Sequence, residues 1–455
     1  MSIQKSSPRA EASWSSNALR LRGGPFGEAQ VPFGVSCLHK IIERSGYRDV
    51  VVDASRCTFC HPGFMVPIIT QMERYRREKG VTYTLEMPTH SDSLERLFVN
   101  ANWAHIMQPD RWPERSRDDY GNHIPLRRYS TEEQMHVLVN EAIESILHTR
   151  KVDRDSLHGV EWSLNEIADN VLQHSGSSIG GFLQLNLPQQ RGFVEFMVAD
   201  AGRGISHTLR VEDHQTALRE SILFGRTRDT SNHMGDGLYG SYRTALCSHG
   251  SFNLNSGKAS LFLSHGEELL QESERRVPYI GTFVSCALSF NEPEAFRRAL
   301  SWEGGDVARE GEERVGYLDI KYGGGETLEL DMKEYRSFLG SRTGGKKFRR
   351  RLDNLLKEGK SVGLNFSGVS MVSSGFADEA LAMLIRDIGD AEFRERVGMR
   401  GASDIVGFVI DRAIRHRLAV TAAEAEAEDR DDDWTDEGWE NEGLESESAT
   451  VSSSL

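Results

Sequence analysis

The stretch SLNEIADNVLQHS, Ser163 to Ser175, read together with VADAGRGI, Val198 to Ile205, decides what the centre of this 455-residue chain is. Glu166 and Asn170 stand four residues apart, so a helix puts them on one face. A carboxylate beside a carboxamide can take a proton from water or a hydroxyl while the amide oxygen holds a magnesium ion. Asp200 closes an apolar run, and Gly202 and Gly204 follow it. A turn without Cβ atoms lets the backbone come close to a flat ligand. Between the two stretches, Gly181 to Leu187 and Phe193 to Ala199 read as a strand hairpin. Together they predict a nucleotide site.

Two further segments extend the pattern. HMGDGLYGSY sets Gly235, Gly237 and Gly240 at the start of a helix expected over Leu238 to Ser248, where free amides suit phosphate oxygens. GTFVSCALSF predicts a strand from Thr282 to Phe290, with the Thr282 hydroxyl placed to reach a water bound to the base. In this order the segments resemble the GHKL ATP-binding family, which includes gyrase, the heat-shock chaperone and the histidine kinases. The resemblance covers residues 131–292 and implies a Bergerat-type α/β sandwich that binds ATP and Mg²⁺. It implies Glu166 as general base, Asn170 as the Mg²⁺ ligand and Asp200 as acceptor from the adenine amino group. Gly202 and Gly204 would lie along the ring, Gly235, Gly237 and Gly240 would meet phosphate, and Ile205 to Gly235 would form a lid. Asp236 and Tyr239 depart from the usual phosphate-binding lid.

Two α/β units are expected to flank this centre. In the first, residues 31–108, DVVVDAS (Asp49 to Ser55) and VTYTLEMP (Val81 to Pro88) read as strands, with helices over Gly63 to Lys79 and Asp92 to Met107. Residues 1–30 read as loose, and 109–130, rich in Pro and Arg, as a linker. After a second linker at 293–313, residues 314–420 predict a strand at Ser361 to Ser367, a loop at Gly368 to Gly375 and helices at Phe376 to Ile388 and Asp404 to Leu418. Both units resemble STAS domains, the second more strongly. In that family a serine at this loop accepts phosphate, and Ser373 falls there, with Val372 in place of the usual preceding acid. As local chemistry, Ser373 and Ser374 equally suit helix capping.

Charge and composition narrow the class. Of the net charge of −15, the segment from Ala422 to Glu447 supplies most, with thirteen Asp or Glu against one Arg. Residues 421–455 are therefore expected to be a solvated, disordered tail, with Trp434 and Trp439 as the alternative of a docking motif for a basic partner. The remainder is near neutral, which argues against nucleic acid as a partner. No apolar run reaches the roughly 18 residues of a membrane span, so a cytoplasmic location is expected. Five cysteines form no disulfide framework. Cys57, Cys60 and His61 match a haem-attachment spacing without a matching context, and Gly340 to Lys346 imitates a P-loop whose metal-binding hydroxyl is replaced by Lys347. Lys346, Lys347, Arg349, Arg350 and Arg351 read as an exposed helix face. His136 lacks the acidic and proline neighbours of a histidine-kinase acceptor, and His174 makes the Glu166 helix most similar to the anti-sigma-factor serine kinases.

The expectation is a regulatory protein, an ATP-dependent switch or serine kinase, that controls protein partners through STAS-like domains, with homodimerisation open. A non-catalytic ATP-responsive module and a nucleic-acid-dependent ATPase are the rival readings.

Overall fold

The computed structural model describes residues 9–115, 123–149, 152, 154–188, 192–223, 237–264, 266–272, 277–292, 294–300 and 327–432. Among the described residues the architecture is mixed α/β, with three sheets of four, seven and three strands. Among the described residues no helix is long and apolar enough to cross a membrane.

Within residues 1–30, expected to be loose, residues 11–23 form two strands. β1 (Glu11–Ser15) and β2 (Ala18–Gly23) form an antiparallel pair, with Leu19 and Leu21 buried and the residues between them half-buried. That alternation is a strand signal in its own right. After α1 (Val31–His39), β3 (Asp49–Cys57) runs parallel to β2, and β4 (Thr82–Glu86) parallel to β3. Between them α2 (Pro62–Lys79) starts with Pro62 in its first turn, where the missing N–H costs nothing, and with His61 Nδ1 accepting from Gly63 N at 3.1 Å. The helix expected over Asp92 to Met107 divides into α3 (Asp92–Asn100) and α4 (Trp103–Met107). Asn102 makes the break, in the left-handed region at φ 61°, and its Oδ1 accepts from Arg115 N at 2.7 Å.

The expected linker at 109–130 also contains a strand. β5 (His123–Tyr129) is the edge of the seven-stranded antiparallel sheet, where Pro125 is tolerated beside a register shift. Two long helices follow, α5 (Glu132–Thr149) and α6 (Arg154–Asn170), then the hairpin of β6 (Gly181–Asn186) and β7 (Phe193–Asp200). Within residues 205–223 of the expected lid, α7 (Gly204–Leu209) and α8 (His214–Ser221) pack Ala217 and Leu218 into the core; residues 224–236, including Gly235, lie outside the described residues. α9 (Gly237–Cys247) leads to β8 (Ser251–Gly257), β9 (Ala259–Ser264), β10 (Glu267–Glu272) and β11 (Tyr279–Ser289), and α10 (Ala295–Leu300) closes the unit. Strand order is β10-β9-β8-β11-β7-β6-β5.

Both faces of this sheet are covered. Leu183, Leu185, Val194, Phe196, Val198 and Val284 point to α5 and α6. Their neighbours Phe182, Met197, Ala199 and Phe283 share one core with the N-terminal unit. Trp103 Nε1 donates to Gln184 Oε1 at 2.9 Å, and Gln71 Nε2 to the Ile280 carbonyl at 2.7 Å, so the polar atoms of this junction are paired.

In the C-terminal unit, β12 (Thr327–Asp331) precedes α11 (Arg336–Leu339) and α12 (Arg342–Lys357). β13 (Ser361–Asn365) is followed by α13 (Ser374–Ala377) and α14 (Met383–Ile388), joined through a wide turn at Asp378–Ala382. Then come α15 (Asp390–Arg396), β14 (Val397–Arg400) and α16 (Asp404–Asp432). The three strands are parallel in the order β12-β13-β14. α16 runs past Leu418 to Asp432, so the acidic segment expected to be disordered from residue 421 begins as helix; Trp434 and Trp439 lie outside the described residues.

Candidate functional site

Trp162, Glu166 and Asn170 recur at four-residue spacing on one face of α6. α9 crosses that face on glycines. A Cβ added at Gly237 would lie 2.9 Å from Glu166 Oε2 and 3.5 Å from Asn170 Nδ2, and one added at Gly240 would overlap the Trp162 ring. Of the three glycines read from the sequence, Gly237 therefore stands over the carboxylate–carboxamide pair, Gly240 packs on Trp162, and Gly235 is outside the described residues.

After Asn170 the helix widens into a single π-turn, Val171–Ser175, which ends at Gly176 with φ 61°. The turn carries Ser175 to the loop that follows β7. Arg203 N donates to the Ser175 carbonyl at 2.8 Å, and a Cβ at Gly202 would overlap that same carbonyl. Gly204, at φ 74°, leaves room for Ser256, whose hydroxyl accepts from Ile205 N at 3.0 Å and donates to the Gly281 carbonyl at 2.8 Å. The space freed by Gly202 and Gly204 is thus filled in part by the protein's own groups.

Asp200 is buried at the end of β7. Its Oδ1 accepts from Gly202 N at 2.7 Å, and the backbone N–H of Thr282 also points to this carboxylate. Burial pushes its pKa up to about 7 from an ordinary value of 3.8, against the pull of those two N–H groups. The sequence pointed to the Thr282 hydroxyl; the structure shows the Thr282 backbone serving Asp200. Asp169, next to Asn170, is pushed up to about 6, first by burial of its carboxyl group.

The C-terminal unit reaches this same helix. Ser374 N donates to Glu166 Oε1 at 3.2 Å, and Thr343 Oγ1 to Glu132 Oε1 at 2.5 Å. Met371 and Ile405 form an apolar cluster with Trp162 and Phe296 that is separate from the C-terminal unit's own core. Ser373 is the N-cap of α13, its Oγ accepting from Phe376 N at 3.0 Å. The hydroxyl oxygen at the candidate acceptor position is therefore used in capping.

One cluster escaped the sequence reading. Asp378, fully buried, receives Arg417 through two bonds of 2.9 and 2.7 Å and Arg342 at 2.9 Å, while Glu379 lies 3.4 Å from Arg349. Its only signal was a pair of acids in the otherwise apolar run Phe376 to Ile385. The basic cluster is partly consumed here, with Lys346 3.8 Å from Glu379 and Arg349 2.6 Å from Asp387. The P-loop imitation is the N-terminal turn of α12, capped by Ser341. Cys57 and Cys60 are buried, with Cys57 pushed down chiefly by its hydrogen bond with Cys60, and His61 faces Glu195 at 3.4 Å. Among the described residues no group of three or more His, Cys, Asp or Glu side chains is placed to hold a metal ion.

What this fold defines is a mixed α/β protein whose C-terminal unit is STAS-like. Residues 344–406 match the family model described as a STAS-like domain of unknown function (DUF4325). No curated protein matches the chain.

Proposed function

We propose that the central unit is a Bergerat-type ATP site of the GHKL kind, and that the chain is an ATP-dependent switch or serine kinase acting on protein partners through STAS-like units. The observation that carries this reading is the meeting of three segments on α6. Gly237 approaches Glu166 and Asn170, and Ser175, one turn on, holds the Asp200–Gly202 loop. The close approach at Gly237 sets the start of α9 beside a carboxylate and a carboxamide, the groups a magnesium–triphosphate would need. Bound there, that group supplies an electrophilic terminal phosphorus.

Asn170 would hold Mg²⁺ through its amide oxygen, as a single protein ligand alongside phosphate and water. Glu166 would take the proton from the attacking water or hydroxyl. Asp200 would accept from the adenine amino group, with Thr282 supporting its carboxylate and a base-bound water. Gly202 and Gly204 would lie on the ring side and Gly237 and Gly240 on the phosphate side, with Gly235, outside the described residues, expected beside them. The N-terminal unit, read as a second STAS-like module, would sense or transmit the nucleotide state. An ATP-responsive module without turnover is the second reading, favoured by the Ser374 amide already bonded to Glu166.

Calorimetric titration with ATP and Mg²⁺ tests the site. Asp200→Asn should weaken binding on the order of ten- to a hundredfold, the worth of a hydrogen bond to a charged group. Unchanged affinity in that variant would reject the site. With γ-labelled ATP and Glu166→Ala as control, label held on protein identifies a kinase and label released as phosphate a switch.

A further inference from the structure

Glu166 lies where two units meet. Three kinds of contact bring the C-terminal unit onto α5 and α6. Met371, from the loop before α13, and Ile405, from α16, are buried against Trp162 and Phe296. Thr343 is bonded to Glu132, and Gly340 is packed so closely on His136 that a Cβ there would lie 2.6 Å from the ring. The Ser374 amide donates to Glu166 itself.

The apolar part of this contact is dedicated to it. The C-terminal unit buries its own core from Leu330 to Ile414 without Met371 and Ile405, which face the central unit instead. The Ser374 amide is also free to serve Glu166 for a structural reason. It belongs to the first turn of α13, where a peptide N–H has no partner within the helix. The helix start therefore offers an unspent donor to a carboxylate.

We propose that the STAS-like unit is a built-in cap on Glu166, docked through Met371 and Ile405 with the Ser374 amide bonded to the carboxylate, and that lifting this unit removes that donor from Glu166. The docking stands on the contacts alone; its consequence for turnover rests on the reading of Glu166 as the catalytic carboxylate. While docked, one carboxylate oxygen is occupied by a donor that stabilises its charged form and so weakens it as a base. A partner that bound the C-terminal unit by the face it turns to α6 would compete with docking and so release Glu166.

The geometry supplies a clean probe. Ser373 has φ −76° and ψ 153°, the conformation required before a proline, and position 374 is a first-turn site that accepts one. Ser374→Pro therefore deletes the donated N–H and leaves the helix, whereas Ser374→Ala keeps the N–H and deletes the hydroxyl.

Carbodiimide-driven amidation of carboxylates on the full chain, mapped by mass spectrometry, reads Glu166 without any nucleotide. Glu358, exposed on the C-terminal unit, is the internal reference. In the parent chain Glu166 should react on the order of tenfold more slowly than Glu358, as expected for a half-buried carboxylate with one oxygen covered by the docked loop. Met371→Asp and Ile405→Asp should each bring it towards the Glu358 rate. Ser374→Pro should raise it by a smaller factor, and Ser374→Ala should leave it unchanged. Parent-chain labelling of Glu166 as fast as Glu358 overturns the cap. So does failure of both aspartate variants to raise it while circular dichroism shows them folded. Phosphate release from Mg-ATP is the second readout and should rise in the same variants; a fall would make the loop a support for Glu166 and overturn the cap. If labelling behaves as expected but no form binds ATP, the docking stands and the nucleotide reading is what fails.

Discussion

The two flanking units were read from sequence as alike, yet they join the central sheet in different ways. The N-terminal unit shares a continuous apolar core with the sheet's outer face, where Phe182, Met197 and Phe283 lie among Phe64, Ile68 and Trp103. The C-terminal unit keeps its own core and meets α5 and α6 through a small apolar cluster and a few polar contacts. A shared core cannot be separated without exposing large apolar side chains to water, whereas a small contact patch can open at modest cost. The first junction is built to be permanent and the second to be released.

The largest test of that contrast lies in the shared core. Trp103→Ala removes a fully buried ring and leaves the buried Gln184 without its donor, a loss of about 3–5 kcal/mol. Urea unfolding should show the N-terminal and central units shifting together in one transition. If residues 11–107 unfolded alone, with the central sheet intact, the contrast between the junctions would collapse.

Next in size is a pH effect at Asp200. Its carboxyl stays protonated in the folded chain up to about 7 but loses its proton above 3.8 when unfolded. Between those limits the folded state holds the extra proton, so stability falls as pH rises, by at most about 1.4 kcal/mol per pH unit from this group. Asp169, at the C-terminal junction, acts in the same direction but over a window that closes at about 6. Asp200→Asn should therefore gain stability relative to the parent chain as pH rises from about 4 to about 7, and Asp169→Asn should gain less. Parallel stability curves for parent and Asp200→Asn would show that burial does not govern this carboxyl.

The smallest effect sharpens the reading of the C-terminal loop. Ser373→Ala loses the cap on α13 and should cost about 1 kcal/mol in thermal unfolding. Should γ-label be retained on the parent chain and vanish in Ser373→Ala, Ser373 is an acceptor as well as a cap. Retention in both places the label elsewhere.

Local pattern made much of the architecture legible. α6, the β6–β7 hairpin, β11, β13 and α2 all announce themselves through apolar periodicity within one short window. β1 and β2 were missed because they are short and half polar, and β2 gains its place from β3, some thirty residues later. β5 was missed because HIPLRRY carries Pro125 and two arginines, a composition that only an edge position tolerates. α16 was cut short because its acidic end has no apolar face to argue for helix. At the candidate site, Glu166, Asn170, Asp200 and the glycines were legible by residue type and spacing. Their glycine contacts were not, because Gly202 and Gly237 are explained by Ser175 and Glu166, residues distant from them along the chain.

By itself the sequence determined which segments become helix or strand wherever burial repeats with a local period, and which side chains share the face of α6. It could not determine that the N-terminal unit would seal the outer face of the sheet, that Asp378 would gather Arg342 and Arg417, or that the Ser374 amide would reach Glu166. Those contacts join residues up to some two hundred positions apart, and their energy comes from excluding water between surfaces that no local window of sequence brings together.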